Sequence, residues 1–180
     1  MILQIQLPER ETALAFHRQR WDEVLQDPRW AKSEDRVETN AFGQVIMTPP
    51  ADFAHGRRQF RIASLLESQL GGRSLTECPI ATADGVKAAD TAWFSEQRYE
   101  QVMGQRAVEL APEICVEVLS PRNSETEMRV KRQLYFDAGA IECWTCDLQG
   151  QMAYYDRAEP NQPIAQSHLC SGFPGTITEN

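Results

Sequence analysis

Two stretches of this chain have the apolar continuity of buried β-strands, and each carries a carboxylate in its interior: Asp90 in Ala89-Asp90-Thr91-Ala92-Trp93-Phe94, and Glu117 in Ile114-Cys115-Val116-Glu117-Val118-Leu119. An ionised carboxylate buried without a partner costs several kcal/mol, so a fold that hides both needs a compensating cation. Two such charges ~4 Å apart repel by about 4 kcal/mol at an effective dielectric near 20. A divalent metal ion removes that penalty, and the pair therefore points to a metal-dependent enzyme. The alternative is that one carboxylate is salt-bridged and the other sits at a strand end.

The spacing of apolar residues and turn signals predicts the rest of the organisation. Ala13, Leu14, His17, Trp21, Val24 and Leu25 recur at helical spacing between Glu9 and about Gln26, and Asp27-Pro28 ends that helix. Residues 36–41 and 44–47 alternate around Phe42-Gly43 as a hairpin. His55 to Leu70 reads as a helix with Phe60, Ile62, Ala63, Leu66 and Leu70 on its core face, ended by Gly71-Gly72. Strands follow at 74–82, 86–94 and 110–119, with a short helix or loop over 95–103. Ser124 to Ala138 reads as a helix with Asn123 or Ser124 as its cap and Glu127 at capping-box spacing from Ser124. Strands at 142–147 and 152–156 complete the pattern, and the tail is loop-rich and free to fray.

This order predicts an α/β sandwich with a mixed central sheet flanked by helices, plus an N-terminal helix and hairpin. Three strands form an antiparallel meander, and the strand-helix-strand unit from Ile114 to Asp147 adds a parallel strand by a right-handed crossover. The 180 residues, 42% hydrophobic and 24% charged, suffice for one domain. Its expected parts are a helical preface (1–34), a core (35–156) and the tail (157–180).

The stretch Met1-Ile2-Leu3-Gln4-Ile5-Gln6-Leu7-Pro8 has neither a basic start nor a long apolar core, and no run approaches the ~20 residues of a membrane span. Five cysteines, an odd number in a chain of this size, agree with a reducing compartment, so the expected location is cytoplasmic. A net charge of −8 argues against a general nucleic-acid coat protein while leaving room for a local basic surface.

Placing residues at ~100° intervals puts Met128, Lys131, Leu134, Tyr135 and Ala138 on one stripe of their helix, with Lys131 facing the sheet. A lysine there needs a carboxylate or a phosphate oxygen. Otherwise it pairs with Glu127 four residues earlier, or reaches to solvent. Asp90, Glu117 and Lys131 together form the set needed to hold Mg²⁺ or Mn²⁺, orient a water and stabilise charge on a phosphodiester in flight. Arg57, Arg58 and Arg61 are helical neighbours able to grip phosphates, or else a solvated helix face. Cys143 and Cys146 are spaced like half of a zinc or redox site. In a strand, however, residues three apart point to opposite faces, so core packing is the stronger reading.

Several short motifs occur in order: Arg36-Val37-Glu38-Thr39-Asn40, Gly43 to Pro50, His55, Ala89-Asp90-Thr91-Ala92-Trp93, Val116 to Pro121, Lys131 to Gly139, and Glu142-Cys143-Trp144. This series resembles the Uma-two family, endonuclease-like proteins of the PD-(D/E)XK nuclease superfamily. The resemblance implies a restriction endonuclease-like fold, with Asp90 in the first acidic position and Glu117 in the second, both as metal ligands. Ala89 stands where a proline usually precedes the aspartate, and Leu119 stands where the usual motif has its lysine. The family typically carries a lysine in the following helix, matched here by Lys131. Glu38 and His55 match recurring positions, Glu38 as a supporting acid and His55 as a substrate contact.

The expected function is thus a Mg²⁺- or Mn²⁺-dependent endonuclease that hydrolyses DNA by direct attack of metal-activated water. Since one site cuts one strand, a homodimer is the expected assembly. The competing reading is a non-catalytic nuclease-fold module that binds a protein or nucleic-acid partner.

Overall fold

The computed structural model describes residues 10–31 and 35–178. The start of the predicted N-terminal helix, at Glu9, lies outside the described residues. Helix α1 (Arg10–Gln26) and the single turn α2 (Pro28–Ala31) lead to a hairpin of β1 (Arg36–Thr39) and β2 (Val45–Thr48). Then come α3 (Phe53–Leu70), β3 (Arg73–Thr82), β4 (Gly85–Phe94), α4 (Glu96–Val102), β5 (Ile114–Val118), α5 (Glu125–Asp137), β6 (Glu142–Cys146) and β7 (Met152–Asp156). The protein is α/β: a five-stranded mixed sheet in the order β3-β4-β5-β6-β7, flanked by helices, with the hairpin as a separate two-stranded sheet. All neighbours pair antiparallel except β5 and β6, which α5 connects in parallel.

The sheet is covered on both faces, which is why its inner strands are apolar almost without interruption. Tyr135 and Phe136 of α5 pack with Ala92, Phe94, Cys115 and Cys143. Ile62 and Leu66 of α3 pack with Trp93, Ile114, Val116 and Trp144. Trp21 and Val24 of α1 form a third cluster with Ala81 and Val86. Cys143 and Cys146 fall into different clusters, as strand alternation requires, and all five cysteines are free and buried.

Of the core face predicted for α3, Ile62 and Leu66 are buried and Phe60 alone points outward. Phe60 is 61% exposed, and the buried residues of α3 are Gln59, Ile62 and Leu66. The Gln59 side chain takes the inward position because it has a polar partner there: its Nε2 donates to Glu77 Oε1 at 2.5 Å, while the backbone carbonyl of residue 59 accepts from Thr91 Oγ1 at 3.1 Å. The predicted strand over 110–119 shortens to β5, because Ala111 and Glu113 bond instead to the loop that enters β6.

The tail is irregular but pinned. Met152 N donates to Gly175 O, isolated bridges join Tyr154 to Ile164 and Gln151 to Thr176, and Glu142 holds residues 167–169. Fraying is therefore not what the described part of the tail shows.

Candidate metal-binding and active site

The site begins at an interruption in the sheet. Pairing of β3 with β4 runs from Arg73↔Phe94 to Thr76↔Thr91 and resumes at Cys78↔Ala89, so Glu77 and Asp90 face each other at the missing step. Glu77 is the only described non-glycine residue with a positive φ, 53°. That left-handed conformation costs about 1–2 kcal/mol for a residue with a Cβ, and such strain persists only where the surroundings enforce it. On the other side, pairing of β4 with β5 stops at Thr91↔Val116, one step before Asp90 and Glu117. The Asp90 carboxylate substitutes for the ladder there, its Oδ2 accepting from Val118 N at 2.6 Å. Glu77, Asp90 and Glu117 thus form a row across three adjacent strands.

Beyond the end of β5, the edge of β4 is covered by the β1–β2 hairpin. Thr39 Oγ1 accepts from Val86 N at 2.9 Å and Glu38 Oε1 from Ala88 N at 3.0 Å, satisfying backbone donors that β5 does not reach. This docking brings Glu38 and Arg36 to the row. Arg36 Nη1 donates to Asp90 Oδ1 and Nη2 to Ala88 O, while Nε lies 3.0 Å from Glu77 Oε2 and Nη2 lies 3.4 Å from Glu38 Oε1. From α5, Lys131 Nζ donates to Glu117 Oε2 at 3.0 Å, Glu38 Oε1 at 3.1 Å and Ala88 O at 3.2 Å. Tyr135, one turn further along, donates its hydroxyl to Glu117 Oε1 at 2.7 Å. Asp52 caps α3 by accepting from His55 N at 2.8 Å, and the His55 ring reaches the site with Nε2 3.4 Å from Asp90 Oδ2.

Electrostatics divides the two central carboxylates. Burial works against ionisation of Asp90, but the His55 contact and the charges of Arg36 and Lys131 overcome it and hold the pKa at about 2. For Glu117 burial prevails: aided by repulsion from Asp90, it lifts the pKa to about 7 against the pull of Lys131, Arg36 and the Tyr135 hydroxyl. Burial also disfavours the Lys131 ammonium, yet Glu117 and Glu38 outweigh it and raise that pKa. Contact with Asp90 raises the pKa of His55 despite partial burial.

The family model Uma2, described as "Putative restriction endonuclease", matches residues 21–176. The chain belongs to the Uma2 family. No curated protein matches the chain. Among solved structures, a putative nuclease belonging to DUF820 from Anabaena variabilis superposes with a TM-score of 0.64 at 19% sequence identity, covering 88% of this chain and 94% of that one. Shared fold is what such a likeness shows. Among the described residues no helix is long and apolar enough to cross a membrane.

In this Uma2 protein the structure brings Asp90, Glu117, Lys131, Glu38 and His55 into one cluster. Lys131 makes neither the pair with Glu127 nor the reach to solvent; it takes Glu117 and Glu38. The arginines of α3 do not join. Arg57 and Arg61 are exposed, and Arg58 Nη2 donates to Leu148 O at 2.8 Å in the turn between β6 and β7. Sequence reasoning gave no role to Glu77, Arg36 or Tyr135. A glutamate inside the strand segment Thr76-Glu77-Cys78-Pro79 was the available signal for the first, and an arginine two residues before Glu38 for the second.

The donor set suits a divalent ion. His55, Glu77 and Asp90 each offer one ligand atom, and these atoms lie within 4.8 Å of one another, while Glu117 stands one strand over. His55 Nε2 is enclosed by protein and makes no hydrogen bond.

Proposed function

We propose that this Uma2 protein is a Mg²⁺- or Mn²⁺-dependent endonuclease that hydrolyses phosphodiester bonds of DNA. The observation that supports it is the meeting of Asp90, Glu117 and Lys131, with Lys131 Nζ 3.0 Å from Glu117 although the two residues lie on different elements. Asp90 and Glu117 hold the metal ion in this reading. Once bound, such an ion supplies Lewis acidity toward a phosphate oxygen and makes a water nucleophilic at neutral pH. In hydrolysis a new P–O bond forms from water as the bond to the leaving sugar oxygen breaks, and negative charge grows on the phosphate.

Lys131 is the group placed to meet that charge. With its pKa raised it is an ammonium at neutral pH, so it acts as a hydrogen-bond donor that orients water and phosphate, rather than as a base. Glu38 fixes the amine from the side opposite Glu117, and Tyr135 holds the other Glu117 oxygen so that the carboxylate cannot rotate away. This arrangement answers the apolar Leu119 at the usual lysine position, because an amine reaches the centre from α5 instead. Arg57 and Arg61, exposed on the helix that carries His55, are assigned to the flanking phosphates. Arg58 serves there only if it leaves Leu148 O.

The test is nicking of supercoiled plasmid by the purified full chain with Mg²⁺ or Mn²⁺. The nuclease reading expects cleavage that is lost on chelation and lost in Asp90→Asn and Glu117→Gln variants that remain folded. Intact DNA across a broad set of substrates would instead favour a non-catalytic binding module.

A further inference from the structure

Arg36 sits where chemistry would place an ion. Its guanidinium points at Asp90, Glu77 and Glu38 and at the carbonyl of Ala88, and its side chain keeps 20% of its surface open to solvent. Two of those carboxylates, with His55, are the residues whose ligand atoms lie within 4.8 Å of one another. An ion ligated at ~2.1–2.4 Å draws its ligands within that same span. A guanidinium and a dication cannot both use these oxygens, since like charges repel strongly at contact in a partly buried site.

Two further features favour a cation other than arginine in this place. His55 Nε2 is enclosed and meets Asp90 Oδ2 only at 3.4 Å, too poorly aligned for a hydrogen bond, so when the ring is neutral this nitrogen can turn its lone pair to a metal ion, which a guanidinium cannot use. Buried Arg36 Nε likewise makes no well-aligned hydrogen bond, although Glu77 Oε2 is 3.0 Å away. The arginine therefore fits its surroundings by charge and only in part by geometry.

We propose that Arg36 and a divalent transition-metal ion are alternative occupants of one site, built by His55, Glu77 and Asp90, so that Arg36 holds these groups together until an ion displaces it. The solvent-facing side of the arginine gives it a way out without unfolding the hairpin. An imidazole nitrogen among the donors selects Mn²⁺ and later first-row ions over Mg²⁺, which prefers an all-oxygen shell. The proposal deepens the nuclease reading, resting on it in taking this centre as metal-dependent, and adds Glu77, His55 and Arg36 to what sets ion affinity and choice.

The experiment is a Mn²⁺ titration of the full chain without DNA, followed by the paramagnetic signal of free Mn²⁺, on wild type, Arg36→Gln, Glu77→Gln and His55→Gln. Removing the competitor in Arg36→Gln should tighten Mn²⁺ about tenfold or more, whereas Glu77→Gln and His55→Gln should weaken it by about tenfold. Competition by Mg²⁺ should change less in His55→Gln than Mn²⁺ binding does. If Arg36→Gln does not fold, Arg36→Met, which keeps a long apolar stem but not the charge, should also bind Mn²⁺ more tightly. Unchanged or weaker Mn²⁺ binding in the Arg36 variant, or unchanged binding in both ligand variants, overturns the proposal. Mn²⁺ binding that follows the expected pattern in a protein that never nicks DNA would sink the nuclease reading and leave this one standing. The converse, nicking by a protein whose Mn²⁺ affinity ignores Arg36, Glu77 and His55, would sink this one alone.

Discussion

The molecule buries carboxylates in two different ways. Glu142, at the start of β6, is 1% exposed and is met by neutral donors that the fold holds in place: Trp144 Nε1 and Ser167 Oγ at 2.7 Å, His168 N at 2.7 Å and Leu169 N at 3.0 Å. Asp90 and Glu117 are met mainly by ions on long side chains, Arg36 and Lys131, with one backbone N–H and one tyrosine hydroxyl in support. Fixed neutral donors make a structural clamp, here tying the tail to the sheet. Partners that are themselves cations can give way to another cation at the same oxygens. How a buried carboxylate is satisfied, rather than the fact of its burial, is what sets Glu142 apart from Asp90 and Glu117.

The contrast can be broken most directly at the row. Asp90→Asn should lower divalent-dependent nicking by about a thousandfold, and Lys131→Met by about a hundredfold, with circular dichroism unchanged. Retained nicking in Asp90→Asn would mean that the row is no more chemical than Glu142.

The opposite outcome is expected at the clamp. Glu142→Ala strands the donors of Trp144, Ser167, His168 and Leu169 and should cost about 3 kcal/mol, read from denaturant unfolding followed by tryptophan fluorescence. Nicking per folded molecule should not change.

A further effect sharpens the comparison through pH. The folded-state pKa of Glu117, about 7, lies above its ordinary value of 4.5, so the folded state binds this proton more tightly than the unfolded chain. Its contribution to stability is therefore complete below about pH 4.5 and lost as pH rises to about 7, a fall of about 3 kcal/mol. Urea unfolding in a chelator between pH 5 and 8 should show the fall in wild type and a flatter profile in Glu117→Gln. Asp90 acts in the opposite sense: with a pKa of about 2 against an ordinary 3.8, its contribution is present above that value and lost as pH falls toward 2. Both proteins share that acid loss, and they should converge below about pH 5, where Glu117 is protonated and neutral like the glutamine. The smallest effect belongs to Phe60→Ser, which should shift stability by about 0.5 kcal/mol or less because the ring is already in water, whereas the inward Phe60 expected from the sequence would require a far larger loss.

Much of the site was legible because burying charge is costly. Asp90 and Glu117 stood out as ions inside apolar strands, and Lys131 as an ion inside an apolar helical stripe. Each of those signals is local, and the structure joins them. The inward place of Gln59 on α3 was not legible, since Phe60 outranks Gln59 on any hydrophobic scale, and only the partner Glu77 makes the glutamine the better inward residue. Glu77 and Arg36 were missed for a related reason. A charged residue in a partly exposed stretch of strand has an ordinary solvated alternative, so its role depends on what the neighbouring segments bring to it.

The sequence by itself determined the element order, the mixed sheet and the identity of the two strand carboxylates and the helical lysine, because these follow from periodicity and from the cost of desolvating charge. Only the tertiary structure decided that β4 outruns β5, that the hairpin closes the exposed edge, and that Arg36 and Glu77 thereby reach Asp90. Those are contacts between segments distant in the chain, and their energies depend on geometry that no local pattern of residues encodes.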